Sequence, residues 1–311
     1  MRLHVYEPHV AFTRYEASRC PNRGMVICTV KMTEVSPTSQ YALGSTDAEH
    51  ERLIRQAVRL APLTERFFRD AGIGPGQRVL DLGSGVGDVA MLAARLVGPS
   101  GEVVGVEREP QSIARARARV AEAGLHNVSF TQSDVNQIAS DKPFDAAVGR
   151  FILMFLPDPL AVLRSLFQLV RSGGVLAFLE NSFAPFLVLS ARLPLWSASA
   201  SLIFETLQRS GANMEMGLAL YRMFPEAGLP LPAMHMEMLL GSDPEFIRWM
   251  YDTLCSLRPQ VQQAGLSLEK LGDFNTLQER LQDEVTASNN VVTWPAYVRV
   301  WARKPTSEAS H

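Results

Sequence analysis

Three kinds of residue in this chain are spaced so that they could hold a nucleotide-like ligand. From Arg78 to Ala90 the sequence runs Arg-Val-Leu-Asp-Leu-Gly-Ser-Gly-Val-Gly-Asp-Val-Ala, an apolar run that ends in one carboxylate and three glycines. Gly83, Gly85 and Gly87 let a backbone approach a ligand closely. The helix expected after them offers unpaired N–H groups and the positive end of its dipole. Glu107 stands 24 positions after Gly83, where a carboxylate can accept hydrogen bonds from both hydroxyls of a ribose. Asp134, in Ser133-Asp134-Val135, sets a carboxylate beside a backbone N–H, a pair suited to the edge of an adenine. Taken singly, each has a plainer reading: a tight turn for the glycines, a solvent-facing strand end for Glu107, a helix N-cap for Asp134. Their joint placement at the ends of successive strands favours a ligand site, because open α/β sheets bind ligands there.

The elements that must position these residues are read from alternation. Val79, Leu80 and Leu82 suit a buried parallel strand, and Val86, Val89, Ala90, Ala93, Leu96 and Val97 repeat at helix spacing. Further strands are expected at 103–107, 128–132, 144–148 and 175–180, with helices at 111–123 and 159–171 and a turn at Ser172-Gly173-Gly174. This rhythm predicts a doubly wound α/β fold around a mostly parallel sheet. Two N-terminal helices are expected before the first strand, one behind a capping box at Thr46–Glu49 and a second starting at Pro62. Residues 1–40 lack sustained periodicity and are expected to be a poorly ordered extension, with Met25 or Met32 as alternative starts. Residues 41–180 are expected to hold the N-terminal helices and the core. Residues 181–290 read as a mainly helical lid inserted among the late strands, its first helices kinked or broken by Pro185 and Pro194, with later helices at 244–263 and 277–284. Residues 291–311 read as a last strand returning to the core, followed by a tail.

Composition narrows the class. A chain of 311 residues, 47% apolar, buries a substantial core. A formal net charge of −2 supplies no strong field for nucleic acid or an anionic membrane. Arg115, Arg117 and Arg119 alternate with alanine on one expected helix and read as a solvated face rather than a nucleic-acid patch. Cys20, Cys28 and Cys255 are far apart, which fits a reducing compartment and argues against a disulfide framework. No Cys/His cluster points to a metal. The most apolar stretch, 176–196, carries Glu180, Asn181, Arg192 and two prolines, against a membrane span. The N-terminus is punctuated by charge and lacks a signal-like apolar run. The expectation is a cytoplasmic monomer or homodimer with a small-molecule substrate and no nucleic-acid partner.

Val-Leu-Asp-Leu-Gly-Ser-Gly-Val-Gly-Asp at 79–88, the acidic strand end Val-Val-Gly-Val-Glu at 103–107, Ser-Asp-Val at 133–135, Phe-Asp-Ala-Ala-Val at 144–148 and Leu-Val-Arg-Ser-Gly-Gly-Val-Leu at 169–176 together resemble the ordered motifs of class I S-adenosylmethionine-dependent methyltransferases. The likeness is to the small-molecule type, in a domain similar to that of the ubiquinone/menaquinone biosynthesis methyltransferases, and it covers residues 41 to about 180. It implies a seven-stranded Rossmann-like sheet, S-adenosyl-L-methionine as cofactor and S-adenosyl-L-homocysteine as product. Asp81, Gly83 and Gly85 would face the methionine part, with Ser84 between them. Glu107 would take the ribose and Asp134 the adenine amino group, with the Val135 N–H nearby. Arg150 and Phe151 would sit near the methionine moiety, and Tyr41 would lead a segment folding over the cofactor. Two positions depart from the pattern: Arg108 stands where an apolar or acidic neighbour of the adenosine is common, and Ser172 replaces a proline before Gly173-Gly174.

The chemistry implied is methyl transfer by in-line displacement, which needs alignment and exclusion of water and in some cases a general base. His235, Glu180, Tyr41 and Tyr221 are the candidate bases, none of them singled out. Aromatic and methionine residues after position 180, with Phe151, supply candidate acceptor contacts, Trp196, Tyr221 and Trp249 among them, and imply an apolar or aromatic small molecule. The competing readings are an NAD(P)-dependent oxidoreductase, disfavoured because Gly83-x-Gly85-x-Gly87 misplaces the third glycine of the dinucleotide fingerprint, and a protein that binds the cofactor without transferring methyl.

Overall fold

The computed structural model describes residues 46–306. The expected extension at 1–40, the alternative starts at Met25 and Met32, and Tyr41 lie outside the described residues.

Helix α1 (Asp47–Asp70) leads into strand β1 (Arg78–Leu82), the glycine turn and helix α2 (Asp88–Val97). β2 (Glu102–Glu107), α3 (Pro110–Glu122), β3 (Val128–Gln132) and β4 (Phe144–Arg150) follow. A 3-10 turn at Leu153–Phe155 precedes α4 (Pro159–Leu169) and β5 (Val170–Ser182). The remainder comprises α5 (Ala184–Ser190), α6 (Pro194–Arg209), α7 (Met216–Glu226), β6 (Ala233–Glu237), β7 (Leu240–Gly241), α8 (Pro244–Gln263), α9 (Leu277–Ser288), β8 (Val292–Thr293) and β9 (Ala296–Arg303).

One seven-stranded sheet runs in the order β3-β2-β1-β4-β5-β9-β6. The pairings from β3 through β5 are all parallel, and β9 enters antiparallel between β5 and β6. This is the mostly parallel sheet expected. Its parallel strands are apolar on both faces, as in Val79, Leu80 and Leu82 of β1 and Ala146, Ala147 and Val148 of β4, all buried, because helices cover both sides. The strand order reverses between β1 and β4, so the C-terminal ends of these two strands flank the crevice where ligands bind in such sheets.

Several local expectations change. The two N-terminal helices are one: α1 runs through Pro62. Pro62 is exposed and Val58, whose carbonyl loses its helical donor, is 72% exposed, so water can take that carbonyl. Leu60, Leu63, Phe67 and Phe68, buried on the opposite side, hold both halves of the helix to the core. Only half of the capping box forms. The Glu49 N–H donates to Thr46 Oγ1 at 3.3 Å, but the Glu49 carboxylate pairs with Arg52 at 2.6 Å in a buried site instead of reaching back. Helix α4 ends at Leu169, and Ser172-Gly173-Gly174 lies within β5 as an irregularity rather than in a turn before it: Phe144 pairs with Val170, and regular pairing resumes at Ala146 with Val175. Gly173, at φ +73°, absorbs the extra residues. Pro185 and Pro194 start α5 and α6 rather than kink them. The region expected as lid contributes β6, an edge strand of the main sheet, as well as helices.

Candidate functional site

The glycine turn is left-handed at all three glycines, with φ of +63° at Gly83, +51° at Gly85 and +87° at Gly87, a region that costs an L-residue roughly 1–2 kcal/mol. Space separates their roles. A Cβ at Gly83 would lie 2.6 Å from Ile152 Cδ1, so this glycine admits the loop after β4; a Cβ at Gly85 would meet nothing within 4 Å, so this backbone faces open space.

Around the turn stand four charged groups. Asp81 is 1% exposed and accepts the Ala90 N–H, while its Oδ2 has no partner. Burial pushes its carboxyl up to about 8, against the opposing pull of Arg150 and the Ala90 N–H. Arg150, ending β4, donates to Thr64 Oγ1 at 3.2 Å. Burial lowers its pKa, and Asp88, Asp81 and Tyr297 act the other way. Asp88 opens α2 and is held by Arg119 at 2.7 Å. Glu107 closes β2; its Oε2 accepts the Gly85 N–H at 2.9 Å and its Oε1 the N–H groups of Arg108 and Glu109 at 2.8 and 3.0 Å. Glu107 is therefore laid against the glycine turn itself. Ser84 is buried with its hydroxyl unpartnered.

The loop after β4 forms the next wall. Phe151 sits at φ +55°, one of two non-glycine residues at positive φ among those described, and its ring lies 5.8 Å from that of Tyr297 on β9. Such a conformation persists only where the surroundings enforce it. Here the Phe151 N–H donates to the Leu179 carbonyl at 2.9 Å, and Glu180 Oε1 accepts the N–H groups of Ile152 and Leu153 at 3.0 and 2.8 Å. Glu180 is fully buried, and burial pushes its carboxyl up to about 8.

The structure thus brings Asp81, Gly83, Ser84, Gly85, Glu107 and Arg150 to the β1–β4 crevice, with Phe151 and Glu180 beside it. Asp134 lies one strand beyond Glu107, exposed, its Oδ1 accepting the N–H and side-chain amide of Asn136 at 2.8 Å. It turns the chain rather than capping an α-helix. Val135 is half-buried next to it, and Arg108 pairs loosely with Glu109 at 3.4 Å. His235 is not brought to the crevice. It lies on edge strand β6, exposed and stacked on Trp301 at 5.4 Å, four strand positions from β1, a distance of roughly 19 Å. Tyr221 is 52% exposed on α7. Trp196 and Trp249 are buried in the helical region, and Trp249 contacts Trp294 at 4.5 Å. Arg115 and Arg117 of α3 are exposed and Arg119 half-buried, and each is tied down: Arg115 pairs with Glu51, Arg117 bonds the Phe130 carbonyl, and Arg119 holds Asp88 and the Val86 carbonyl.

Sequence reasoning missed Tyr297, Thr64 and Trp294. Tyr297 is buried and its phenol is pushed up by burial, with Arg150 and Arg59 opposing. The one available signal was its place in the expected last strand, since no motif marks a residue that acts from an antiparallel neighbour.

A profile of the family described as "Methyltransferase domain" matches residues 73–228, half of the chain. Over 108 residues the chain is 34% identical to an arsenite methyltransferase of Halobacterium salinarum, a match covering 34% of this chain and only 28% of that protein. Over 176 residues it is 28% identical to a demethylmenaquinone methyltransferase of Staphylococcus aureus, covering 53% of this chain and 72% of that one. A solved structure of phosphoethanolamine N-methyltransferase 2 from Haemonchus contortus, with phosphomonomethylethanolamine and S-adenosylhomocysteine, shares the fold at a TM-score of 0.52 and 14% identity, over 90% of this chain and 63% of that one. Among the described residues no helix is long and apolar enough to cross a membrane. With the matched profile spanning the glycine turn, the acidic strand ends and the loop after β4, the chain belongs to the methyltransferase-domain family and is an S-adenosylmethionine-dependent methyltransferase.

Proposed function

We propose that this protein transfers the methyl group of S-adenosylmethionine to an apolar or aromatic small molecule by in-line displacement. The observation that carries the acceptor class is the Phe151–Tyr297 ring pair at the crevice, 5.8 Å between centroids, backed by a buried aromatic cluster from three segments: α5 with its N-cap, the β8–β9 link and α8. Phe183 meets Phe186 at 6.2 Å, Phe186 stacks on Trp294 at 5.9 Å, Trp294 meets Trp249 at 4.5 Å, and Phe246 meets Trp249 at 6.2 Å. A ring placed beside Phe151 is held through buried area and ring geometry.

The residues at the crevice fit the cofactor. The unpartnered Oδ2 of Asp81 and hydroxyl of Ser84 are buried polar groups in want of a partner, and the open space over Gly85 admits a backbone-close ligand. In this reading Asp81 takes the amino group of the methionine part and Arg150 its carboxylate. Glu107, whose Oε2 accepts only the Gly85 N–H and keeps a second lone pair while Oε1 is filled by two N–H groups, takes a ribose hydroxyl through Oε2. Asp134 and the Val135 N–H take the adenine edge, with Arg108 beside it. The bound sulfonium supplies an already electrophilic methyl. The protein's part is alignment and exclusion of water, supplied by Phe151, Tyr297 and the loop held by Glu180. Glu180 itself is engaged by two N–H groups and acts by positioning that loop.

Calorimetry tests the cofactor contacts: S-adenosylmethionine binds the parent chain, and Asp81→Ala and Glu107→Ala each weaken it by about tenfold or more. Incubation with apolar and aromatic hydroxy or amino compounds, read as S-adenosylhomocysteine release by mass spectrometry, tests the acceptor class. Release with polar acceptors alone would refute it.

A further inference from the structure

Away from the crevice, a cavity of about 210 Å³ opens between the α5–α6 connection and the segment around β7 and β8. At about 30 Å³ for each water-sized group, it admits roughly seven, the size of a short acyl chain. One side, from the end of α5 to the first turn of α6, carries Ser190, Arg192 and Trp196 with Leu193. The other is mainly apolar, with Leu240, Val291 and Val292 beside Asn290 and Thr293, whose hydroxyl is engaged by the Leu239 and Trp294 carbonyls, and Leu189 completes the rim. Leu189, Leu240 and Val291 are 55%, 63% and 50% exposed, unusual for large apolar side chains around one opening.

The polar side holds donors without acceptors. Ser190 and Trp196 are buried at 3% and 0% exposure, and neither Ser190 Oγ nor Trp196 Nε1 has a hydrogen-bond partner among the described residues. Arg192 is exposed and no ion pair engages it among the described residues. Buried donors left unmade are costly, and native interiors satisfy nearly all of them. The backbone here is already served, since Glu284 accepts the N–H groups of Leu195 and Trp196 at 2.7 and 2.8 Å. What remains is a hydroxyl, an indole N–H and a guanidinium, all suited to an acceptor oxygen, on residues that line a mainly apolar cavity.

We propose that this cavity is a binding site for an apolar monocarboxylate, with the carboxylate oxygens at Ser190, Trp196 and Arg192 and the hydrocarbon along Leu240, Val291 and Val292. None of these residues belongs to the glycine turn or the strand ends, so the site stands or falls separately from the cofactor contacts. The donor pair dominates the affinity, because the guanidinium is solvated and screened by salt.

Octanoate and 1-octanol, titrated into the full chain by calorimetry, form the test. Octanoate binds saturably at a single site and more tightly than octanol. Trp196→Phe, which keeps the ring and removes the N–H, weakens octanoate roughly tenfold. Ser190→Ala weakens it as well, and Arg192→Gln weakens octanoate about threefold while leaving octanol unchanged. S-adenosylmethionine binding measured in the same samples shows that each variant is folded and keeps its glycine turn intact. The proposal is overturned if the parent chain shows no saturable octanoate binding in the millimolar range. It is equally overturned if Ser190→Ala and Arg192→Gln, with cofactor binding intact, take up octanoate as the parent does, which would leave the cavity a water-filled pocket.

Discussion

Replacing Glu180 by glutamine and by leucine separates its two contributions, one electrostatic and one through hydrogen bonds. Unfolded, the carboxyl titrates near its ordinary 4.5; in the fold, burial pushes it up to about 8. Because the folded pKa is the higher, the fold favours the protonated acid. The resulting stability is complete below pH 4.5, is lost as pH rises toward 8, and stays lost above it. At about 1.4 kcal/mol per pH unit, the window corresponds to a loss of about 5 kcal/mol. Asp81, raised from 3.8 to about 8 by the same cause, falls in the same window, so the two carboxyls contribute comparably to the decline. Glutamine keeps an oxygen for the N–H groups of Ile152 and Leu153 and cannot ionise. Leucine strands both donors at about 1–3 kcal/mol each. Urea unfolding at pH 5, 7 and 8.5 is the assay. Glu180→Gln roughly halves the decline in stability between pH 5 and 8.5, and Glu180→Gln with Asp81→Asn flattens it. Glu180→Leu unfolds about 2–4 kcal/mol more easily than Glu180→Gln at every pH. An unchanged slope in Glu180→Gln would mean that the carboxylate is ionised throughout, and the burial argument would be wrong. Equal stability of the leucine and glutamine variants would remove the loop-holding role.

Two further outcomes follow from the same geometry. Gly83→Ala places a Cβ 2.6 Å from Ile152 Cδ1 at φ +63°, whereas Gly85→Ala meets only the conformational cost at φ +51°. Thermal unfolding therefore shows Gly83→Ala destabilised by about 2–4 kcal/mol and Gly85→Ala by about 1–2 kcal/mol, and the reverse order would contradict the packing described. In the proposed placement, S-adenosylmethionine sets a cation beside Asp81, a carboxyl that burial raises to about 8, lowering its pKa and expelling a proton on binding at pH 7. Calorimetry at pH 7 in buffers of different ionisation enthalpy detects about one proton released, and Asp81→Asn abolishes the release.

Much of the cofactor-binding half was legible because its signals are local. A carboxylate after an apolar run, glycines that alone tolerate φ of +51° to +87°, and an acidic residue closing the next strand are each set by a few adjacent side chains, and they recur at the ends of β1 and β2. Helix α8 was expected at 244–263 and is found there because Asp243 caps it and Pro244 starts it. The misreadings share a different origin. Pro62 signals a helix start to any local reading; it lies inside α1 because Leu60 and Phe67, on either side of it, both bury against the core. The Glu49 side chain left its capping role because Arg52 is buried beside it.

From its own pattern, then, the chain determined the parallel sheet, the glycine turn after β1 and the acidic strand ends, since backbone conformation and amphipathic period depend on neighbours in sequence. Only the tertiary structure decided that Glu180 holds the loop carrying Phe151, that Tyr297 of an antiparallel strand faces that ring, and that Ser190 and Trp196 are left without partners around a cavity. Those properties depend on burial and on which groups meet across the fold. Desolvation and unsatisfied donors exist only once segments distant in the sequence have packed together.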